Sequence, residues 1–245
     1  MIEKLDATIR AITAAILAAL NAVLSGHFVL KNATGKEGST PPGRGDHSGA
    51  YVDKDIASMF PAGALDRLGA LLALRIFVQG LNVDVIACPA IGAIGLCHAA
   101  ARYLSLLMGK DIKAIFVEEK DGAKTVARNA FKGVLNGKNV LVIEDIVTTG
   151  GSLEGVIVAV KACGANVTGA CVMVMRGSRT AEDLGVPWLY VMQSVVIEKW
   201  VAAECPLCKS GTPINPKPGH GDDFLKIIET ENPVLYDSLK PKPGA

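Results

Sequence analysis

The stretch 139–152 reads Asn-Val-Leu-Val-Ile-Glu-Asp-Ile-Val-Thr-Thr-Gly-Gly-Ser and is the most informative segment of the chain. An apolar run of strand length ends in two adjacent acids, and a small, hydroxyl-rich turn then leads into a helix-like stretch. The turn offers backbone N–H groups and hydroxyls, and the start of a helix adds a partial positive charge. These groups suit a phosphate, whereas the acids repel one and can accept hydrogen bonds from sugar hydroxyls. The pattern therefore predicts a strand–turn–helix site for a phosphorylated sugar.

Strand-like and helix-like segments alternate on both sides of this stretch. The predicted strands are 83–88, 112–117, 139–143, 167–175 and 188–192, and the predicted helices between them are 94–108 and 153–163. Such alternation predicts an α/β fold, with a mostly parallel twisted sheet flanked by helices and joined by right-handed crossovers. Ligands of such sheets bind beyond the carboxyl ends of the strands. The turns that follow Cys88, Val117, Ile143 and Met175 are therefore expected to carry the chemistry.

The two ends of the chain are less regular. Residues 2–24 have apolar side chains at helical spacing and predict one helix that stops at Ser25-Gly26, followed by a short strand at 27–31. Residues 32–50 are rich in Gly, Ser and Pro and predict a long surface loop, and 69–77 predicts a helix. The apolar run 11–20 imitates a secretory signal, but acids precede it, and it is too short to span a bilayer. The Pro- and Gly-rich tail from Ser210 is expected to lie over the surface.

Composition narrows the class of protein. A length of 245 residues suits one domain, and half of the residues are apolar, which is enough for a sizeable core. The 25 Lys and Arg residues nearly match the 24 Asp and Glu residues, so the net charge is +1. Because there is no basic excess, we expect this chain to bind neither nucleic acid nor an anionic membrane surface. Any phosphate must be held locally, by a turn and a few cations.

The six cysteines are scattered and predict no disulfide framework at this length, which suits a reducing cytoplasm. Cys205 and Cys208 form one Cys-x-x-Cys pair, which we interpret as a structural turn. Zinc is the alternative, with His220 as the nearest possible third ligand in sequence, but tetrahedral zinc sites use four ligands and usually two such pairs. We therefore assign no metal ligands.

The stretch 139–152 resembles the ribose-phosphate signature of the type I phosphoribosyltransferases, which use phosphoribosyl pyrophosphate (PRPP). The resemblance implies that the turn wraps the 5-phosphate, that Glu144 and Asp145 meet the ribose hydroxyls, and that Thr148 also lies near the base. The PRPP-binding residues it implies here are Glu144, Asp145, Ile146, Val147, Thr148, Thr149, Gly150, Gly151 and Ser152. It also implies a single phosphoribosyltransferase domain over 1–245, with an N-terminal helix and hood elements at 1–60, a core at 61–200 and a tail at 201–245.

The turn after Cys88 corresponds to the family's pyrophosphate loop, where small residues let backbone amides approach a ligand closely. Its predicted PRPP contacts are Ala90, Ile91 and Gly92. On its own this turn is only a glycine-containing helix start, which is common. Some relatives carry a lysine where this chain has Gly92, so this chain lacks one positive side chain that could contact the pyrophosphate.

The charged segment 118–133 is read either as a solvated hairpin or as a mobile lid whose cations meet the pyrophosphate. In the lid interpretation Lys120 and Arg128 are the catalytic phosphate contacts, and Lys124 is a reserve candidate. The segment lacks the histidine of many family members and looks more like the branch known from thermophilic bacteria. Because the lid of relatives often serves the neighbouring subunit's site, the resemblance implies a homodimer.

Several further features resemble the orotate phosphoribosyltransferases. The segment 26–31 resembles the family's Gly-x-Phe-x-Leu-Lys strand, which implies that Lys31 contacts PRPP. Tyr51-Val52 resembles the family's following Tyr-Val element, which lies near the base. Arg176 at the end of a strand is implied to contact orotate, since a guanidinium fork suits a planar anion. The family uses Mg²⁺, and its members convert PRPP and orotate into orotidine 5-monophosphate and pyrophosphate for pyrimidine synthesis. A purine-type phosphoribosyltransferase and a non-catalytic PRPP-sensing regulator are the alternatives.

Overall fold

The computed structural model describes residues 1–30, 45–53 and 62–241. The chain divides into two compact units, one formed by residues 1–20 and 54–195 and a smaller one formed by residues 21–53 and 196–245. Within the described ranges, no helix combines the length and the apolar character needed to cross a bilayer.

The larger unit is an α/β sheet structure, and this confirms the predicted fold class. Its helices are α1 (Ile2–Ala19), α2 (Ala62–Val78), α3 (Ile94–Met108), α4 (Asn129–Gly133) and α5 (Gly151–Ala162). Its strands are β3 (Val85–Pro89), β4 (Lys113–Lys120), β5 (Ala123–Thr125), β6 (Asn139–Val147), β7 (Asn166–Met175) and β8 (Leu189–Ser194). The strand order is β5-β4-β3-β6-β7-β8, and all neighbours are parallel except the β4–β5 hairpin.

Strand β6 lies in the middle of this sheet, and its central residues from Val140 to Ile143 are buried. A strand covered by helices on both faces needs a continuous apolar run rather than an alternating one, which explains the sequence of this segment. Its neighbours β3 and β7 run in the same direction. The turns that leave the three strands therefore meet at one edge of the sheet.

Helix α1 is amphipathic, and Ile9, Ile16 and Leu17 lie on its buried side. A partly buried ion pair ties it to α2, since Arg75 Nε lies 2.5 Å from Asp6 Oδ1. The Arg75 guanidinium also lies over the rings of Trp188 and Tyr190, at 5.3 and 5.0 Å from their centroids. These contacts were not foreseen from the sequence.

The described part of the smaller unit contains an antiparallel ribbon and three short helices. Its strands are β1 (Val23–Val29) and β2 (His47–Val52), and its helices are α6 (Pro206–Lys209), α7 (Gly221–Glu231) and α8 (Pro233–Leu239). Isolated bridges join His27 to Ile214 and His47 to Trp200, so both strands contact the C-terminal segment. Among the described residues, one apolar cluster of this unit buries Val29, Ile214, Phe224, Leu225, Ile228 and Leu239.

Three expectations for the chain ends were wrong. The first helix ends at Ala19 rather than near residue 24, because residues from Val23 onward pair with β2, and Ser25-Gly26 lies inside β1. Residues 47–50 of the predicted loop belong to β2; residues 31–44 lie outside the described ranges. The tail does not simply lie over the surface, because α7 buries Phe224 and Ile228. Tertiary pairing overrides the local signals in each case.

Candidate functional site

The turn between β6 and α5 forms a small cradle. It borders a cavity of about 100 Å³ lined by Glu144 and by residues 146–153. Gly150 has a φ of +92°, a left-handed conformation that favours glycine, and α5 begins at the next residue. The unpaired N–H groups at this helix start carry partial positive charge, so the cradle suits an anion. All nine residues predicted for this part of the PRPP site lie in or directly beside it.

The acid pair lies at the base of this cradle. Glu144 and Asp145 are only 3% and 6% exposed. The Asp145 N–H donates to Glu144 Oε1 at 3.2 Å, and the Ile146 N–H donates to Asp145 Oδ1 at 2.8 Å. The second oxygens, Glu144 Oε2 and Asp145 Oδ2, are buried and accept no hydrogen bond from the part of the chain that is described. They are therefore suited to accept hydrogen bonds from a ligand.

Burial raises the pKa of Glu144 well above its ordinary value, and the neighbouring Asp145 raises that pKa further. Two carboxyl groups this close in a dry site resist double ionisation. A ligand that brings hydroxyl donors or a cation would relieve this repulsion, so the pair favours a polyhydroxy or metal-bearing ligand.

The turn after β3 lies directly against the acid pair. A Cβ added to Gly92 would come within 2.2 Å of Asp145 Oδ2, so a side chain at this position would have to displace the carboxylate. The Ala90 N–H donates to the Val117 carbonyl at 2.9 Å, which ties the turn to β4, and the Ile91 side chain is exposed. The three predicted pyrophosphate-loop residues thus lie beside the predicted ribose-phosphate residues.

Arg176 lies beside the cradle as well. Its backbone N–H donates to the Val147 carbonyl at 2.8 Å. The next residue, Gly177, is so close that a Cβ there would lie 2.4 Å from the Thr148 carbonyl oxygen. The turn after β7 is therefore in contact with the turn after β6, and the two residues predicted for orotate in this unit, Thr148 and Arg176, are brought together.

Arg179 was missed from the sequence. Its Nε donates to the Thr149 carbonyl at 2.6 Å, and its Nη2 lies 3.1 Å from Glu154 Oε1 in the first turn of α5. It therefore braces the cradle from outside. A second arginine three residues after Arg176 was the available signal, but nothing in the sequence indicated which carbonyl it would reach.

The segment 118–133 contains the β4–β5 hairpin and α4. Lys124, the reserve candidate, is only 13% exposed, and its Nζ lies 3.1 Å from Glu119 Oε2. Its aliphatic stem packs against Gly155 of α5, where a Cβ would lie 2.6 Å from Lys124 Cγ. Lys124 thus packs the hairpin against α5.

The two preferred lid cations have different surroundings. The Arg128 guanidinium lies over Phe116 at 5.0 Å and Phe131 at 5.9 Å, and its Nη2 is 3.5 Å from Glu118 Oε1. Lys120 is exposed at the end of β4. Their contact with pyrophosphate stays a prediction.

Two of the remaining predicted residues lie in the smaller unit. Lys31 lies outside the described residues. Tyr51 and Val52 end β2 in the smaller unit, where Val52 is buried opposite Val23 and the Tyr51 ring lies 5.6 Å from the Phe28 ring. Their roles toward PRPP and base also stay predictions.

Comparison with known proteins agrees with this geometry. The phosphoribosyl transferase domain family matches residues 62–207. The orotate phosphoribosyltransferase of Heliobacterium modesticaldum is 36% identical over 199 residues, which cover 81% of this chain and 91% of that protein. The orotate phosphoribosyltransferase of Thermotoga maritima is 33% identical over 205 residues, which cover 83% and 95%.

A solved structure is similar as well. The crystal structure of orotate phosphoribosyltransferase from Aeropyrum pernix has a TM-score of 0.52 and 26% identity, over 74% of this chain and 93% of that one. Since the domain match covers more than half of the chain and the relatives exceed 30% identity over most of it, this chain belongs to the orotate phosphoribosyltransferases of the phosphoribosyl transferase family.

Proposed function

We propose that this chain transfers the 5-phosphoribosyl group from PRPP to orotate, and that the cradle at 148–152 holds the 5-phosphate while Glu144 and Asp145 hold the ribose hydroxyls. The observation that supports this best is the contact of three turns, after β3, β6 and β7, around the acid pair. The turns offer amides for two phosphate groups, carboxylate oxygens for hydroxyls and an arginine for an anionic base.

The reaction needs no nucleophilic side chain, because orotate N1 attacks ribose C1 as pyrophosphate leaves. Departure of pyrophosphate builds positive charge on the ribose and negative charge on the leaving group. The enzyme then acts mainly by orienting the two substrates and by stabilising the charge that develops. In this scheme the turn 90–92, with the amides of Ile91 and Gly92, and the lid cations Lys120 and Arg128 face the pyrophosphate. Arg176 and Thr148 orient the base, with Tyr51 and Val52 as further predicted contacts and Lys31 at PRPP.

Mg²⁺ is the metal ion implied by this chemistry. The open oxygens Glu144 Oε2 and Asp145 Oδ2 are hard donors of the kind that this ion prefers, so the site fits it. The acid pair would hold it together with water and the substrate's own oxygens. When bound, the ion would neutralise negative charge on the phosphates.

The proposal includes a cytoplasmic homodimer in which the lid reaches the partner's site. The six free cysteines support a reducing compartment. Mixing two inactive variants, Lys120→Ala and Asp145→Asn, tests the shared site. If the lid acts across the dimer, mixed dimers contain one site with neither change, and up to about a quarter of the native activity returns. If no activity returns on subunit exchange, the lid serves its own subunit.

Orotate consumption with PRPP and Mg²⁺ tests the function directly, with adenine and hypoxanthine as competing bases. The names of the relatives favour orotate over a purine. We expect orotidine 5-monophosphate and pyrophosphate in equal amounts, and little turnover of the purines. Turnover of a purine alone would point to the other base class, and PRPP binding without turnover of any base would point to a sensor.

A further inference from the structure

Four metal-binding side chains meet inside the smaller unit, and none of them is assigned to PRPP, orotate or Mg²⁺. This Cys–His cluster consists of His27, His47, Cys205 and Cys208. One ligand atom from each residue lies within 4.8 Å of every other. We propose that the cluster is a structural zinc site that joins the β1–β2 ribbon to the C-terminal segment.

The distances inside the cluster resemble the edges of a zinc tetrahedron. With Zn–S near 2.3 Å and Zn–N near 2.0–2.1 Å, neighbouring N and S ligand atoms lie about 3.6 Å apart. His27 Nε2 lies 3.6 Å from Cys205 Sγ and 3.7 Å from Cys208 Sγ, and His47 Nδ1 lies 3.2 Å from Cys208 Sγ. The two nitrogens are 2.9 Å apart, about half an ångström below a tetrahedral edge, so a bound ion would separate the rings slightly.

His27 is already oriented as a ligand. Its Nδ1 lies 2.8 Å from the Thr212 carbonyl oxygen, which can only accept, so Nδ1 carries the proton. The lone pair is therefore on Nε2, which faces the cluster. A histidine that binds a metal with one nitrogen usually donates from the other to a carbonyl or carboxylate, and this contact sets its tautomer.

His47 completes the set. Its ring is buried, with an edge-on contact to Phe224 at 4.6 Å between centroids, and its Nε2 has no hydrogen-bond partner among the described residues. Its Nδ1 faces the other ligand atoms, 2.9 Å from His27 Nε2 and 3.2 Å from Cys208 Sγ, so a metal there would use the lone pair of that nitrogen. Without a metal, two imidazoles and two thiols would be packed against one another in a buried site, where polar groups are unfavourable unless they have partners.

The ligand set selects the metal. Two thiolates and two neutral imidazoles balance the charge of a divalent ion, and this combination is typical of structural zinc. Mg²⁺ is disfavoured because it prefers oxygen ligands. His27, His47 and Cys205 are at most 1% exposed, which suits a closed structural site rather than a catalytic one.

The arrangement also explains what the metal would do. His27 lies on β1 and His47 on β2, whereas Cys205 precedes α6 and Cys208 lies within it. The ligands therefore come from segments far apart in the chain. The described part of the smaller unit has a small apolar cluster, in which six residues are buried. Small units of this kind gain stability from a metal that crosslinks them.

The test uses the full-length chain without a histidine tag. Metal analysis should find one zinc per chain, and X-ray absorption should show two sulfur and two nitrogen neighbours. Replacement by Co²⁺ should give the strong visible bands of a tetrahedral ion and a thiolate charge-transfer band. A chelator should lower the midpoint of thermal unfolding, and Zn²⁺ but not Mg²⁺ should restore it.

Variants separate this site from adventitious binding. Cys205→Ser with Cys208→Ser should lose the zinc, whereas Cys163→Ser, a change outside the cluster, should keep it. If the double variant does not fold, the absorption spectrum of the native chain still decides the ligand set. Zinc-free chain with an unchanged unfolding midpoint, a Cys205–Cys208 disulfide, or zinc without sulfur neighbours would each overturn the proposal.

Discussion

Gly92 controls how close the β3 turn can come to the acid pair. Gly92→Ala places a methyl group where Asp145 Oδ2 now lies, so the carboxylate must move. Because a displacement of about 1 Å in a catalytic group can lower activity by about 100-fold, we expect a loss in kcat/KM of that order. Steady-state kinetics with PRPP and orotate measures it.

Gly63→Ala is the matched control, because a Cβ at Gly63 meets nothing within 4 Å. It should leave kcat/KM unchanged. Native kinetics in Gly92→Ala would show that the acid pair tolerates displacement, and the proposed role of Asp145 would then be wrong.

Glu144 makes stability depend on pH. Its pKa in the folded chain lies well above its ordinary value of 4.5, so between these values the folded state binds more protons than the unfolded state. Stability should therefore fall as pH rises through this window. Glu144→Gln removes the titrating group, so the variant should lose less stability than the native chain as pH rises above the ordinary pKa of 4.5.

Urea unfolding at several pH values measures this slope. Glu182→Gln, an exposed acid outside the site, controls for the loss of one negative charge. An identical slope in Glu144→Gln and the native chain would mean that Glu144 does not titrate in this window.

At the scale of elements, the β4–β5 hairpin has one lysine that is packed and paired and another that is exposed. Lys124 pairs with Glu119 across the two strands and packs against Gly155 of α5, whereas Lys120 lies exposed at the end of β4. A hairpin anchored at one side chain can present another to a ligand, which supports the lid interpretation over a purely solvated loop.

Lys120→Ala should lower kcat by about 100-fold, which is typical for loss of one group that stabilises developing charge. Because the side chain is exposed, the thermal midpoint should not change. Lys113→Ala, at the other end of β4, is the control and should be near native in both measurements. Normal turnover in Lys120→Ala would leave Arg128 as the only lid cation of the proposal.

Arg128 lies at the start of α4, in the same charged segment, and has a second role. Its contacts with Phe116 and Phe131 help to pack α4 against β4. Arg128→Ala should therefore lower both turnover and stability, the latter by about 0.5–1 kcal/mol, whereas Lys120→Ala lowers turnover alone.

At the scale of the whole molecule, the smaller unit is built from segments near the two ends of the chain. Leu239 is buried in its core, only a few residues from the C-terminus. Leu239→Ala should lower the free energy of unfolding by about 2–5 kcal/mol, because the cavity removes packing contacts. Hydrogen exchange should become faster in β1 and α7, whose residues share this core.

Val234→Ala is the matched control, since Val234 is exposed in the same helix α8. It should change the free energy of unfolding by no more than about 0.5 kcal/mol. Native exchange rates in Leu239→Ala would show that the C-terminal helices contribute little to the smaller unit.

Local patterns in the chain were enough to predict the sheet and the strand–turn–helix geometry at 139–152. The run 139–152 has the length, apolar character and turn residues of a buried strand entering a helix, and these are properties of neighbouring residues. The same holds for helix α3, whose predicted bounds are confirmed. Because parallel strands end at a common edge, the order of these local elements also predicted which turns would meet.

Contacts between residues far apart in the chain could not be read in this way. The approach of Gly92 to Asp145, the brace from Arg179 to Thr149, and the meeting of His27 and His47 with the Cys205–Cys208 pair all depend on how elements pack. The first residues of β1, Val23 and Leu24, were assigned to the helix for the same reason, since their partner β2 lies beyond residue 46. Periodicity reports the burial of one element at a time, whereas the partners that each side chain finds are set only when the elements come together.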